Sequence, residues 1–133
     1  MIQVEPYLIE FSKIGRPDLG YISVAEKELL FFDVKRVYWT YYTPQEIVRG
    51  GHAHYLLEQI LISVAGTIIV KTETLTAGKN EFILDRPNVG LFMPKMCWHE
   101  MQYTHNAAQM CIANYAYSED DYIRDYSKFI NQK

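Results

Sequence analysis

The chain has 133 residues, with 13 basic and 16 acidic side chains, a net charge of −3 and 49% hydrophobic residues. That length fits one domain, residues 1–133, and that apolar content excludes a disordered chain. The acidic balance argues against a basic stripe for nucleic acid, since phosphate neutralisation needs clustered lysine and arginine. It leaves room for a small anion wherever a few arginines converge.

Taken in chain order, Met1-Ile2-Gln3-Val4-Glu5-Pro6 lacks the basic and apolar regions of an export signal. The longest apolar runs, such as Leu29-Leu30-Phe31-Phe32, are too short for a membrane span. The expected location is the cytoplasm, without membrane attachment, and Cys97 and Cys111 are expected to be reduced core thiols. Runs rich in β-branched and aromatic residues then predict strands over 21–25 and 32–43. A break follows at Pro44, and Gly50-Gly51 marks a bend or a close backbone approach. Further strands are predicted over 59–64, 67–74, 81–85, 90–93, 97–103 and 108–117, with turns at Ala65-Gly66 and Ala77-Gly78-Lys79-Asn80. Many short strands at regular spacing predict an all-β sandwich or barrel of the jelly-roll type. At the C-terminus, Ser118 followed by Glu119, Asp120 and Asp121 reads as the start of a helix. Tyr122, Ile123, Tyr126, Phe129 and Ile130 would form its apolar stripe.

Chemistry concentrates in Arg49-Gly50-Gly51-His52-Ala53-His54, followed by Glu58 and Gln59. On a strand, His52 and His54 share one face. Two imidazoles with a nearby carboxylate can bind a metal, move protons or sit in a polar core. With His99 they also make a set of four, His52, His54, Glu58 and His99, whose donors suit iron, manganese or nickel. Arg36 and Arg49 carry guanidinium forks that match phosphate oxygens. Tyr38 shares a strand face with Arg36, and Trp98 and Tyr103 offer rings for stacking on a base or for core packing.

The segment Gly50-x-His52-x-His54, then Glu58 and Gly66, approximates the first cupin motif, and Gly90-Leu91-Phe92-Met93-Pro94 to His99 approximates the second. Met96 stands where the second motif has glycine. More specifically, Lys35-Arg36-Val37-Tyr38, Arg49-Gly50-x-His52-Ala53-His54, Leu57-Glu58-Gln59, Gly90-Leu91, Trp98-His99-Glu100-Met101 and Asp121-Tyr122-Ile123-Arg124-x-Tyr126 resemble the sugar-nucleotide 3,4-ketoisomerases. These are cupins related to the dTDP-sugar epimerases. Tyr55 replaces the family's usual lysine, and Leu19 precedes the early Gly20. The resemblance implies a cupin jelly roll with a short C-terminal helix, and conversion of dTDP-4-keto-6-deoxy-D-glucose to a 3-keto isomer without metal or other cofactor. The product would feed the making of a 3-amino-3,6-dideoxy sugar. It implies His52 as the base at C-3. His54, one pleat repeat along the same face, could relay a proton between oxygens or deliver it to C-4, and Tyr38 could bind the sugar or donate to the enediolate. Arg36, Arg49, Gln59, Glu58, Trp98, His99 and Tyr103 would surround the substrate, and two chains would pair as a homodimer with exchanged strands. A metal-dependent cupin, an epimerase and a non-catalytic sugar-nucleotide-binding cupin are the alternatives.

Overall fold

A computed structural model describes residues 2–132. Two antiparallel five-stranded sheets carry the fold. The first contains β1 (Tyr7–Glu10), β4 (Arg36–Tyr41), β6 (Gln59–Ala65), β9 (Val89–Met93) and β11 (Ala108–Ala113), in the order β1-β9-β6-β11-β4. The second contains β5 (Val48–His54), β7 (Ile68–Thr74), β8 (Gly78–Leu84), β10 (Trp98–Tyr103) and β12 (Tyr122–Ile123), in the order β12-β5-β10-β7-β8. A small ribbon joins β2 (Ile14–Arg16) to β3 (Gly20–Ile22), and one short helix, α1 (Tyr126–Ile130), ends the described chain. This is the expected all-β jelly roll with a short C-terminal helix.

Alternation places the core. Leu61, Leu91, Met93 and Cys111 of the first sheet meet Ile68, Val70, Leu84, Met101 and Tyr103 of the second, with Cys97 beside them. Both cysteines are buried and unbridged, as expected. The first sheet is apolar on its other face as well. There Ile9, Ile60, Ile62, Phe92 and Ile112 lie under Phe11, Ala25, Leu30 and Phe32. Both faces of β6 are therefore covered, which accounts for its unbroken apolar run. On β4 the period-two pattern is clean: Arg36, Tyr38 and Thr40 turn inward while Val37, Trp39 and Tyr41 are exposed.

Several sequence expectations change. The strands predicted over 21–25, 32–43 and 108–117 are shorter, running over Gly20–Ile22, Arg36–Tyr41 and Ala108–Ala113. The β7–β8 turn comes earlier than residues 77–80, because Thr74 already pairs with Gly78. The predicted C-terminal helix breaks into three parts: a 3₁₀ turn over Glu119–Asp121, the strand β12, and α1. Ser118 makes no side-chain cap, and Asp125 caps α1 instead by accepting from the Ser127 N–H. Tyr122 and Ile123 are extended because they pair with His54 and Ala53 of β5. Ile123 and Phe129 then bury against Ala53, with Tyr55, Met96 and Trp98 packed around them. Met96, at the position where the second cupin motif has glycine, has a φ of 54°, in the left-handed region that glycine adopts most readily.

Candidate active site

Between the two sheets opens a cavity of about 670 Å³, lined from β4, β5, β10, β11 and β12. A one-residue irregularity in β5 decides what it contains. His52 lies opposite His99, but Glu100 lies opposite Gly50, so Gly51 is an extra residue in the ladder. Strict alternation would send Arg49 to the face opposite His52. The bulge resets the parity, and Arg49 pairs with Met101 on the cavity side. Both glycines have positive φ, 88° at Gly50 and 73° at Gly51. A Cβ on Gly50 would also lie 2.8 Å from the His99 carbonyl oxygen.

Three imidazoles gather at this crossing. The ring centroids of His52 and His54 are 4.9 Å apart, those of His52 and His99 4.7 Å, and those of His54 and His99 6.0 Å. His52 and His99 line the cavity, whereas His54, only 4% exposed, sits behind them. Hydrogen bonds fix two of the tautomers. The Cys97 carbonyl lies 3.0 Å from His99 Nδ1 and can only accept, so Nδ1 carries the proton and Nε2 is bare. Asp121 Oδ2 lies 3.2 Å from His54 Nδ1, while its carboxylate also accepts from the N–H groups of Leu56 and Leu57. With both backbone N–H groups donating to it, the Asp121 carboxylate accepts from His54 Nδ1–H, which leaves Nε2 as the free lone pair. His52 is different, for its buried Nδ1 has no partner in hydrogen-bonding geometry.

Burial is the main force on all three titrations. It pushes His52 down to about 3, helped by His99 and Arg124 and opposed by the Gly50 carbonyl. Burial, then the neighbouring His99 and His52, lowers His54, although the Asp121 carboxylate pulls the other way. His99 is lowered by burial against the pull of the Cys97 carbonyl. At neutral pH the cluster is therefore three uncharged bases. Facing them are the guanidinium groups of Arg36, Arg49 and Arg124, with no carboxylate among the cavity-lining residues. Arg36 Nε is buried without a partner, a donor that an anionic ligand would satisfy. Tyr38 donates to Gln59 Oε1 at 2.7 Å. Burial raises its pKa far above the ordinary phenol value, so the hydroxyl stays protonated.

The expected site residues divide accordingly. His52, His99, Tyr38, Arg36, Arg49 and Tyr103 line the cavity, and Gln59 and His54 stand directly behind them. Two do not belong to it. Glu58 accepts from Asn114 Nδ2 at 3.0 Å and lines a separate groove near the N-terminus, so it neither borders the substrate cavity nor completes a four-ligand set with the histidines. Trp98 alternates with His99 and turns to the outer face, its ring 5.3 Å from Tyr126 and 5.8 Å from Phe129. Four further residues belong here that the sequence reading did not assign: Asp121, Tyr122, Arg124 and Gln109. The 121–124 run was visible as a motif, but its reading as helix hid the contact with His54. By donor chemistry the three imidazoles, whose candidate ligand atoms lie within 4.8 Å of one another, could also hold a transition metal.

Fold and site together define a cupin whose mouth combines imidazole bases with an anion-binding rim. The chain belongs to the family described as FdtA (WxcM-like, C-terminal), whose model matches residues 4–133. It is 36% identical over 129 residues to the TDP-4-oxo-6-deoxy-alpha-D-glucose-3,4-oxoisomerase of Aneurinibacillus thermoaerophilus, covering 95% of this chain and 91% of that one. A crystal structure of a 3,4-ketoisomerase from Helicobacter canadensis superimposes with a TM-score of 0.88 at 32% identity, covering 96% of each chain. The sugar 3,4-ketoisomerase QdtA from Thermoanaerobacterium thermosaccharolyticum, in complex with TDP, matches with a TM-score of 0.88 at 31% identity, over 95% of this chain and 92% of that one.

Proposed function

We propose that this protein is a sugar-nucleotide 3,4-ketoisomerase acting on a TDP-linked 4-keto-6-deoxyhexose. The observation that carries the reading is the juxtaposition of three neutral imidazoles with three guanidinium groups in a cavity lined by no carboxylate. The guanidinium groups match a diphosphate, and the imidazoles match proton transfer between adjacent sugar carbons. His52, on the cavity wall, removes the C-3 proton. The C-4 carbonyl oxygen gains a proton as the enediol forms, and C-4 is then protonated as the C-3 hydroxyl loses its proton to become the new ketone. C-3 is oxidised and C-4 reduced, so no external redox partner is required. His54, backed by Asp121, passes protons between His52 and the sugar oxygens. Tyr38, neutral and with its one hydroxyl proton directed to Gln59 Oε1, lines the wall beside the enediolate and becomes a donor to it only by turning that proton from Gln59. The negative charge that a diphosphate brings against Arg36, Arg49 and Arg124 raises the basicity of His52 from its low value in the free site.

The finer features follow the same reading. The enzyme works without metal, and Glu58, engaged with Asn114, is not available as the fourth ligand of a cupin metal centre. The product ketone at C-3 is a substrate for amino transfer, toward a 3-amino-3,6-dideoxy sugar. The working unit is a cytoplasmic homodimer. Its interface is supported by the outward side chains Val37, Trp39 and Tyr41, exposed by 46%, 65% and 57% on edge strand β4. An apolar stripe of that kind marks an association surface. Edge strand β1, paired only with β9, is the element to exchange. Incubation with TDP-4-keto-6-deoxyglucose in D₂O with chelator, followed by NMR, tests the reading. Expected are a ketone moved to C-3, deuterium at C-4, and undiminished turnover. Inversion of a centre with the ketone still at C-4 would make it an epimerase, loss of turnover on chelation a metal enzyme, and binding without turnover a sugar-nucleotide-binding cupin.

A further inference from the structure

His52 is the wall imidazole whose buried Nδ1 lacks a well-formed hydrogen bond, with only the Gly50 carbonyl acting on the ring, whereas Asp121 fixes His54 and the Cys97 carbonyl fixes His99. Its orientation comes from ring edges. Tyr122 lies 4.9 Å from His52 at an interplanar angle of 61°, and 4.4 Å from His54 at 60°. These are the edge-to-face arrangements that aromatic rings prefer. The tyrosine ring is itself held from another direction. The Arg124 guanidinium lies over it at 4.1 Å, and Glu119 grips that guanidinium through two bonds, 2.6 Å from Nε and 3.0 Å from Nη2. Tyr117 donates to the same carboxylate at 2.8 Å. A fork of this geometry fixes a guanidinium plane far better than a single contact would.

We propose that Tyr122, braced by Arg124 and Glu119, is a positioning residue that sets the angle of the His52 imidazole toward the reacting carbon. This rests on the ketoisomerase reading, and it assigns the 119–124 loop a task beyond closing the barrel. The task belongs to the ring of Tyr122 and not to its hydroxyl. A base must stay within a narrow cone of the C–H bond it breaks, and small misplacements are costly.

Tyr122→Leu removes the ring, and Tyr122→Phe removes only the hydroxyl. With TDP-4-keto-6-deoxyglucose, Tyr122→Leu is expected to lower kcat on the order of 10- to 100-fold while the affinity for TDP falls by a much smaller factor, because Glu119 still holds Arg124. Tyr122→Phe is expected to restore kcat. The aromatic C–H signals of His52 in the TDP-bound protein should shift and broaden in Tyr122→Leu, with those of the distant His105 unmoved. The exposed Glu119→Gln, which leaves the cavity lining intact, should broaden the same His52 signals and so covers the case in which Tyr122→Leu fails to fold. The proposal is overturned if Tyr122→Phe loses as much turnover as Tyr122→Leu, because the hydroxyl then acts directly. It is equally overturned if Tyr122→Leu loses TDP affinity in proportion to kcat, or if neither Tyr122→Leu nor Glu119→Gln disturbs His52. Absence of wild-type turnover would instead fail the ketoisomerase reading, and the His52 signals would still decide the positioning role.

Discussion

Asp121→Asn tests the proton path most directly, because it changes one oxygen for one nitrogen in a buried position. The wild-type carboxylate accepts three bonds, from the N–H groups of Leu56 and Leu57 at 2.7 and 3.2 Å and from His54 Nδ1 at 3.2 Å. An asparagine has one accepting oxygen and one donating nitrogen. If the oxygen keeps Leu56, the amide nitrogen must face Leu57 N–H and His54. A buried donor left unpaired costs about 1–3 kcal/mol, so folding stability should fall by that amount. His54 can relieve part of the conflict by accepting at Nδ1, but its proton then moves to Nε2. The free lone pair of Nε2 is thereby lost. Acid–base groups supply about 10²–10⁴-fold, so kcat should fall within that range, a barrier increase of roughly 2.7–5.4 kcal/mol. Binding of TDP should change little, since Asp121 is screened from the cavity by the histidines. Calorimetry with TDP, denaturant unfolding, ketone transfer by NMR and the ring-nitrogen shifts of His54 read the four quantities separately. Wild-type turnover in a variant whose His54 carries its proton on Nε2 would refute the relay.

Other outcomes follow from the same geometry. His52→Asn should fold and bind TDP-sugar yet lose about 10²–10⁴-fold in turnover together with C-3 hydrogen exchange in D₂O, whereas His54→Asn should keep some exchange as product formation drops; exchange lost only in His54→Asn would reverse the two roles. Arg49→Ala should weaken TDP-sugar binding by about 10- to 150-fold through loss of a charge-assisted bond, with a smaller effect at saturation, and unchanged calorimetric affinity would remove Arg49 from the site. Gly50→Ala should disorder the β5–β10 crossing, because its Cβ would meet the His99 carbonyl at 2.8 Å on a backbone with φ of 88°; thermal unfolding at the wild-type temperature with full turnover would contradict this. Stability should also depend on acid. His52 titrates near 6.5 unfolded and about 3 folded, so its contribution is complete above about 6.5 and is lost as pH falls toward 3, by at most about 1.4 kcal/mol per pH unit. His54 and His99 are shifted in the same direction, and equal urea midpoints at pH 7.5 and 5.5 would rule out neutral buried imidazoles.

The parts of this molecule that sequence reveals are those governed by local periodicity. Arg36 and Tyr38 fall on the cavity side of β4 because alternation holds without interruption along that strand. The same rule pairs His52 with His54 and buries Leu61 away from Ile60 and Ile62. Where the chain departs from a regular period, residue spacing misleads. Arg49 belongs with His52 only through the extra residue Gly51, and two adjacent glycines announce a bend without saying which face it restores. Glu58 follows the strand in the loop before β6, so its position relative to the histidines depends on its bond to Asn114, 56 residues away. The 118–130 segment shows the strongest conflict. Its apolar spacing fits a helix, yet pairing of Tyr122 and Ile123 with His54 and Ala53 satisfies the backbone of β5, buries Ile123 and carries Asp121 to the imidazole. Local spacing is a weak prior that such tertiary pairing overrides. The override is also what delivers chemistry: a helix begun at Ser118 would lack the extended pair that brings Tyr122 against His52 and Arg124 onto the cavity rim. The segment least legible in the sequence is thus the one that completes the site.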